Sequence, residues 1–455
     1  MRLKLLPLAL VLAATPLLSH SEDLLDAYRE ARASDPTLAQ SDASRLATAE
    51  NVPQARALLL PQLSAGLSLQ QQSSSGPHDA QIDQTTGELI PAYDTGHVRS
   101  RTPSVTLSQS VLDFSKYADL KVAHSQVDAQ DQAYQAALQD LYIRVATAYF
   151  GVLTSIDQLT FAQANEEAFR QTYEQSDQRY KVGLSAITDV YQSKASYESA
   201  KADTITAQNT LNDAREALTQ VTGTASENLK KLRDQLPMEP PTPNDPDAWV
   251  KQALASNPTI LSQQYSVAAA EHSISAARAG HLPTINLTAS RGKTTSWSQN
   301  SLPPGIDSSI GNGRYSSTIG LTLTVPIFEG GLIQSQVRQA IANRDGAQDG
   351  LEVQRRAVIR TTLNDFRTVL AGIPQVEAAK SAVDSAQKAL DASRAGFQVG
   401  TQTLLDVLTA IQTLTSSQSS YSQTRHQFIL NKLLLKQSSG TIDLKDLEQV
   451  NSLLE

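Results

Sequence analysis

The sequence predicts an α+β fold, mainly α, in which one plan is written twice. Three observations predict it. Short motifs recur in the same order at a spacing near 220 residues. Apolar and polar residues alternate in four separate stretches, which is the period of half-buried strands. Long proline-poor segments with apolar steps of three and four flank those stretches, which is the period of packed helices.

The repeats set the frame. ARASDPTL (31–38) returns as ALASNPTI (253–260), and LPQLSAGL (60–67) returns as LPTINLTA (282–289), both shifted by 222. LSQSVLDF (107–114) aligns with LTVPIFEG (323–330) at 216, and KVGLSAITDV (181–190) with QVGTQTLLDV (398–407) at 217. Four matches in register mark a duplicated unit. The drop from 222 to 216 predicts a longer loop in the first half, by about six residues on this alignment.

In chain order, 1–21 reads as an export signal. Arg2 and Lys4 precede LLPLALVLAATPLL, and Ser19-His20-Ser21 offers a small-x-small cleavage site. The apolar run falls short of the roughly 20 residues of a spanning helix and contains Pro7 and Pro16. No later segment qualifies, so membrane insertion of the mature chain would require strands.

The first repeat, 22–222, reads as a helix, strands near 61–72 and 103–113, a long helix over 115–181 and a helix over 185–222. Leu63, Ala65, Leu67 and Leu69 alternate with Gln62, Ser64, Gly66, Ser68 and Gln70. Val105, Leu107 and Val111 do so among Ser and Thr, with Gln109 as the exception. The intervening 73–102 reads as an exposed loop. Tyr134, Leu138, Leu141, Val145, Ala148 and Val152 step by 4, 3, 4, 3 and 4, a coiled-coil seam. Gly183 marks the turn into the next helix.

Residues 223–257 form a linker with Pro237, Pro240, Pro241, Pro243 and Pro246; Asp245 and Asp247 read as loop acids rather than a cation site. The second repeat, 258–438, restates the plan: a helix, strands near 283–296 and 315–327, a long helix over 331–398 and a helix over 402–438. Its strands alternate through Ile285, Leu287 and Ala289 and through Ile319, Leu321, Leu323, Val325 and Ile327, with 297–314 as the loop between. Pro374 predicts a kink in the long helix, and Gly400 marks the second turn. The tail, 439–455, predicts a short helix beside the linker.

Bulk properties narrow the function. A net charge of −8 over 455 residues argues against nucleic acid, whose phosphates demand clustered Lys and Arg; Arg355, Arg356 and Arg360 read as a solvated helix face. There is no cysteine, hence no disulfide, thiolate metal site or lipidated N-terminal Cys. RGKTT (291–295) resembles half a phosphate loop, but Leu287 stands where the leading glycine belongs. The seven histidines are scattered. No catalytic residue, metal site or cofactor is expected.

Strands of about ten residues suit an outer membrane, yet four cannot close a barrel, which starts at about eight. An open edge in lipid leaves backbone groups unpaired, so several chains must share one barrel. The competing readings are a soluble periplasmic sandwich and a periplasmic coiled-coil scaffold or adaptor without a pore. Trp297 and Tyr315 at one end of the strands, and Phe114, Tyr117 and Phe328 at the other, suit two membrane interfaces.

The stretches LPQL, HLPTINLTAS, ATAYFGVL, RYKVGLSAITDV, PIFEGGLIQSQVRQA and GFQVGTQTLLDVL resemble the TolC-type outer-membrane efflux and secretion channels, over essentially the whole mature chain. The resemblance implies a homotrimer with a 12-stranded transmembrane β-barrel, four strands per chain, continuous with a 12-helix periplasmic α-barrel. It implies a periplasmic adaptor, an inner-membrane ABC or RND-type pump and outer-membrane lipid as partners, and no nucleic acid. It places Gly183 and Gly400 at the periplasmic tip. It puts Asp406 and Thr409 at the channel constriction, and Thr188, Asp189, Phe397 and Gln402 at the closure contacts. The family's closure uses a Tyr and an Arg where this chain has Phe397 and Gln402, so the charge-assisted latch is missing or rebuilt. The lipid-anchored drug-efflux relatives carry a Cys that this chain lacks.

Overall fold

The computed structural model describes residues 22–77, 82, 84–89, 93–226, 228–300 and 312–455. The export signal read over 1–21 lies outside the described residues. The first repeat supplies α1 (Leu24–Ser34), α2 (Pro36–Ala49), α3 (Asn51–Ala57), β1 (Gln62–Pro77), β2 (Tyr93–Leu112), α4 (Phe114–Lys181) and α5 (Ile187–Thr222). Then follow α6 (Pro246–Ser256), α7 (Pro258–Ala279), β3 (Thr284–Asn300), β4 (Asn312–Thr324), α8 (Leu332–Val399), α9 (Leu404–Ser438) and α10 (Leu444–Asn451). Among the described residues no helix is long and apolar enough to cross a membrane.

The described residues divide into two compact units, one within 22–44, 132–261 and 352–455, the other within 45–131 and 262–351. Each draws on both sequence repeats, so packing divides the chain differently from the duplication.

In the first unit, the α4 seam enters the core as its spacing requires. Leu141, Val145 and Val152 are fully buried against Tyr28, Phe150 and Phe428, with Tyr134, Leu138 and Ala148 packed at the margin. The motif ARASDPTL becomes a helix break. Asp35 ends α1, and Pro36 opens α2, where its missing N–H has no intrahelical partner to lose. ALASNPTI does the same with Asn257 and Pro258. Asp35 accepts the Leu38 N–H at 2.7 Å and takes both Arg144 guanidinium N–H groups, at 2.9 and 2.8 Å. Asn257 accepts the Thr259 N–H at 3.0 Å and donates to the Ser438 carbonyl at 3.0 Å.

Pro374 interrupts no part of α8, which runs from Leu332 to Val399. One helical hydrogen bond is lost there, but Val369 and Val376 on either side are buried in the core. Gly372 lets the Phe428 ring approach the helix backbone: a Cβ there would sit 2.8 Å from that ring. Asp245 caps α6 by accepting the Asp247 N–H at 3.1 Å. The Trp249 indole donates to the Pro243 carbonyl at 2.7 Å, and Val450 of α10 lines one recess together with Pro240, Pro241 and Trp249.

In the second unit the four strands form one antiparallel sheet in the order β1-β2-β3-β4. The β2–β3 pairing joins the two repeats. The strands have 16, 20, 17 and 13 residues, longer in three cases than alternation alone predicts. Residues 73–77 and 93–102, read from sequence as loop, continue the β1–β2 ladder. Apolar alternation fades there because neither face is apolar, while backbone pairing continues regardless. The intervals between paired strands are 78–92 and 301–311, so the first is longer by four residues rather than six. The last strand ends at Thr324 and not at 327, because Pro326 has no N–H to give the ladder.

Candidate functional site

Two features combine chemistry with an exposed position: the paired helix turns after α4 and α8, and the two faces of the sheet. The turns are built alike. Gly183 has φ of 75° and Gly400 has φ of 82°, a region that L side chains enter only with strain. The Gly183 N–H reaches the Tyr180 carbonyl at 2.9 Å and the Leu184 N–H reaches that of Arg179 at 2.8 Å. The second turn repeats this with Gly400 to Phe397 at 3.3 Å and Thr401 to Gly396 at 2.9 Å. Glycine past the last helical residue thus satisfies carbonyls that the helix leaves open.

The acidic residues that follow have different partners. Asp189 accepts the Ser185 hydroxyl at 2.7 Å, and α5 starts from Ala186 without a side-chain cap. Asp406 belongs to a full capping box: it accepts the Thr403 hydroxyl at 2.7 Å and the Thr403 N–H at 2.8 Å, while the Thr403 hydroxyl accepts the Asp406 N–H. Those two bonds, the hydroxyl first, hold the Asp406 carboxyl below the usual carboxylate range. Thr409 is exposed and donates to the Leu405 carbonyl one turn back at 2.8 Å.

The structure brings Gln402, Thr403 and Asp406 together on one turn and Ser185, Thr188 and Asp189 on the other. No hydrogen bond among the described residues joins Thr188 or Asp189 to Phe397 or Gln402. Phe397 instead lies under the Arg179 guanidinium, with 4.8 Å from Cζ to the ring centroid. Arg179 was not singled out from sequence; its only signal is a cation in the last turn of α4, two residues before the Val-Gly motif. Beneath the turns, Phe169, Ala200, Leu390, Leu404, Val407, Leu408 and Ile411 form a separate buried cluster. Val190 and Val407, the last residues of the repeated motif, are both buried.

The sheet faces divide cleanly. Register places Gln62, Ser64, Gly66 and Ser68 beside Ser104, Thr106 and Ser108, and then beside Thr288, Ser290, Thr318 and Thr322. Thr102 donates to Thr294 at 3.2 Å and Ser110 to Asn286 at 3.2 Å on this face. By register its charged members are Asp94 and Arg314. The other face carries Leu63, Leu67, Leu69, Leu107, Leu287, Leu321 and Ile319. It is uncovered in the single chain, with Leu63 73% and Ile319 81% exposed. A sheet with a hydroxyl-rich face and a bare apolar face fits water on one side and lipid on the other.

Comparisons with known proteins agree with this geometry. The family model described as "Outer membrane efflux protein" matches residues 27–224 and 249–441, one segment in each repeat. The chain is 36% identical to the outer membrane protein TolC of Escherichia coli (strain K12), over 99% of this chain and 89% of the relative. It is 27% identical to the alkaline protease secretion protein AprF of Pseudomonas aeruginosa, over 94% and 86%. Among solved structures, the Campylobacter jejuni CmeC outer membrane channel superposes with a TM-score of 0.76 at 17% identity, covering 96% of this chain and 91% of that one. These relatives are channels and secretion proteins.

Proposed function

This chain belongs to the outer membrane efflux protein family, and on that premise we propose that it is the outer-membrane exit duct of a tripartite system. It passively conducts proteins, small toxic compounds or both from an inner-membrane pump to the exterior. One observation carries this reading: a four-stranded sheet, wet on one face and apolar on the other, with too few strands to enclose a pore. Three copies supply twelve strands, above the roughly eight at which barrels begin, and each edge strand then finds a partner in the next copy. The protein thus works as a homotrimer in the outer membrane of a Gram-negative bacterium, with a large periplasmic portion. Its partners are a periplasmic adaptor and an inner-membrane pump of ABC or RND type, and its chemistry includes no catalytic step.

The turns after α4 and α8 form the periplasmic entrance. Asp406, held by its capping box, contributes one carboxylate to a ring of three around the axis, with Thr409 one turn further along. Crowding within the ring raises the later proton affinities, whereas the Thr403 bonds lower them; the bonds keep the ring charged and selective for cations. The closure contact between halves is the Arg179–Phe397 stack, which takes the place of a latch through Thr188, Asp189 and Gln402.

Planar-bilayer recording of the purified protein tests both levels. A trimeric, cation-selective pore is expected, and Asp406→Asn should lower the cation-to-anion permeability ratio several-fold. Unchanged reversal potentials would remove the ring. A monomer in the soluble fraction that never conducts would return the chain to a periplasmic scaffold.

A further inference from the structure

The apolar face of the sheet is not apolar to its end. Beyond the Leu107–Ala289–Ile319 row it carries Arg99 and Arg101 on β2 and Arg291 and Lys293 on β3. Register fixes their side. Val105 pairs with Arg291, Arg101 with Thr295 and Arg99 with Trp297, and directly paired residues share a face. Members of each cation pair are two residues apart, about 7 Å along the strand. All four therefore lie on two neighbouring strands, stepped over six residues of the ladder from the Arg291 level to the Arg99 level, about 20 Å.

The strands themselves supply these cations with little counter-charge. The four strands hold five Lys or Arg residues and one acid, Asp94, in a chain whose net charge is −8. Among the described residues none of the four forms an ion pair. Arg99 donates to the Gln71 amide at 3.2 Å, and the Lys293 ammonium lies 5.1 Å from the Tyr315 ring centroid. Arg99 and Arg101 line a surface recess of about 650 Å³ with Leu69 and Trp297. A lipid-facing cation is strongly disfavoured at the bilayer midplane and tolerated only at headgroup depth. Trp297 and Tyr315 mark that depth, since both ring types favour the interface.

We propose that Arg99, Arg101, Arg291 and Lys293 form a binding site for the phosphate groups of an anionic lipid in the outer leaflet. Leu69 and Trp297 receive the upper part of its acyl chains. Guanidinium groups match phosphate oxygens bidentately, and an anionic headgroup supplies the charge that the strands omit. The inference rests on the barrel reading above. In a trimer it gives three such sites.

The test uses the intact trimer in nanodiscs of zwitterionic lipid. Bisphosphorylated lipid A, or the same lipid after dephosphorylation, is titrated in, and retained lipid is counted by native mass spectrometry. Retention of the phosphorylated form is expected, with about fivefold weaker binding for each cation changed to Gln. Arg314→Gln, on the opposite face, should bind as wild type. The paired Arg99→Lys, Arg101→Lys variant should bind more weakly than wild type but more tightly than the paired Gln variant, because the charge stays while the bidentate fit is lost. Wild-type retention by the fourfold Gln variant would overturn the site. So would equal retention of the dephosphorylated lipid, or full competition by millimolar inorganic phosphate, which would make it a simple ion site. A trimer that conducts but does not discriminate these lipids loses only this inference; a chain that never inserts loses the barrel reading as well.

Discussion

At residues 181–190 and 398–407 the two repeats build the same turn, with glycine at φ of 75° in one and 82° in the other. An aspartate stands six residues later in both. Yet Asp189 is held by Ser185 beside an uncapped helix start, whereas Asp406 closes a capping box with Thr403. The helix breaks at Asp35 and Asn257 differ in the same manner: one side chain is ionised and clasped by Arg144, the other neutral and bonded to the Ser438 carbonyl. Both comparisons teach that a requirement set by backbone geometry repeats with the sequence. The way a polar side chain is satisfied depends on what the fold packs opposite it.

The largest effect should come from the helix breaks. The Asp35 side chain is only 2% exposed and that of Arg144 27%, so Arg144→Met leaves a buried carboxylate without its partner. A loss of about 3 kcal/mol is expected, read from denaturant midpoints. Asn257→Ala should cost about 1–2 kcal/mol, because only neutral hydrogen bonds go. Equal costs would break the comparison. Acid sharpens it. The Arg144 hydrogen bonds, chiefly, hold the Asp35 carboxyl below its ordinary value. The pair's contribution is therefore complete above about pH 4, the unfolded carboxylate value, and is lost as pH falls through the lower folded value. Asp35→Asn should flatten that acid limb, while the same titration of Asn257→Ala should retain it.

The turns come next. Gly183→Ala and Gly400→Ala should each cost about 1–2 kcal/mol from the left-handed backbone alone. No atom lies within 4 Å of a Cβ added at either glycine, so the two costs should agree; unequal costs would mean that the turns are not equivalent. The smallest effect separates the caps. Thr403→Ala should lose about 1 kcal/mol, and Ala186→Thr should gain up to about as much by giving α5 the cap it lacks. Hydrogen exchange in the first turns of α5 and α9 would read both; a protected α5 start in the unmodified chain would contradict the difference.

Much of this was legible in the sequence because it depends on local spacing. Leu63 to Leu69 alternate as a strand with one wet face must, Tyr134 to Val152 step as a packed helix must, and Gly183 and Gly400 stand where a helix has to turn. The loop-side ends of β1 and β2 were not legible, since polar residues on both faces erase the alternation. The Arg179–Phe397 stack and the Asp35–Arg144 pair join residues more than 100 positions apart, and no spacing rule reaches that far.

The sequence by itself determined the duplication, the amphipathic strands, the glycine turns and the need for several copies to close a sheet. Those follow from backbone periodicity and from counting unpaired edges. Only the tertiary structure decided that β2 and β3 join the repeats, that packing divides the chain across its halves, and that four cations share one face of the sheet. These rest on register and on contacts between distant segments, which packing selects after the local elements have formed.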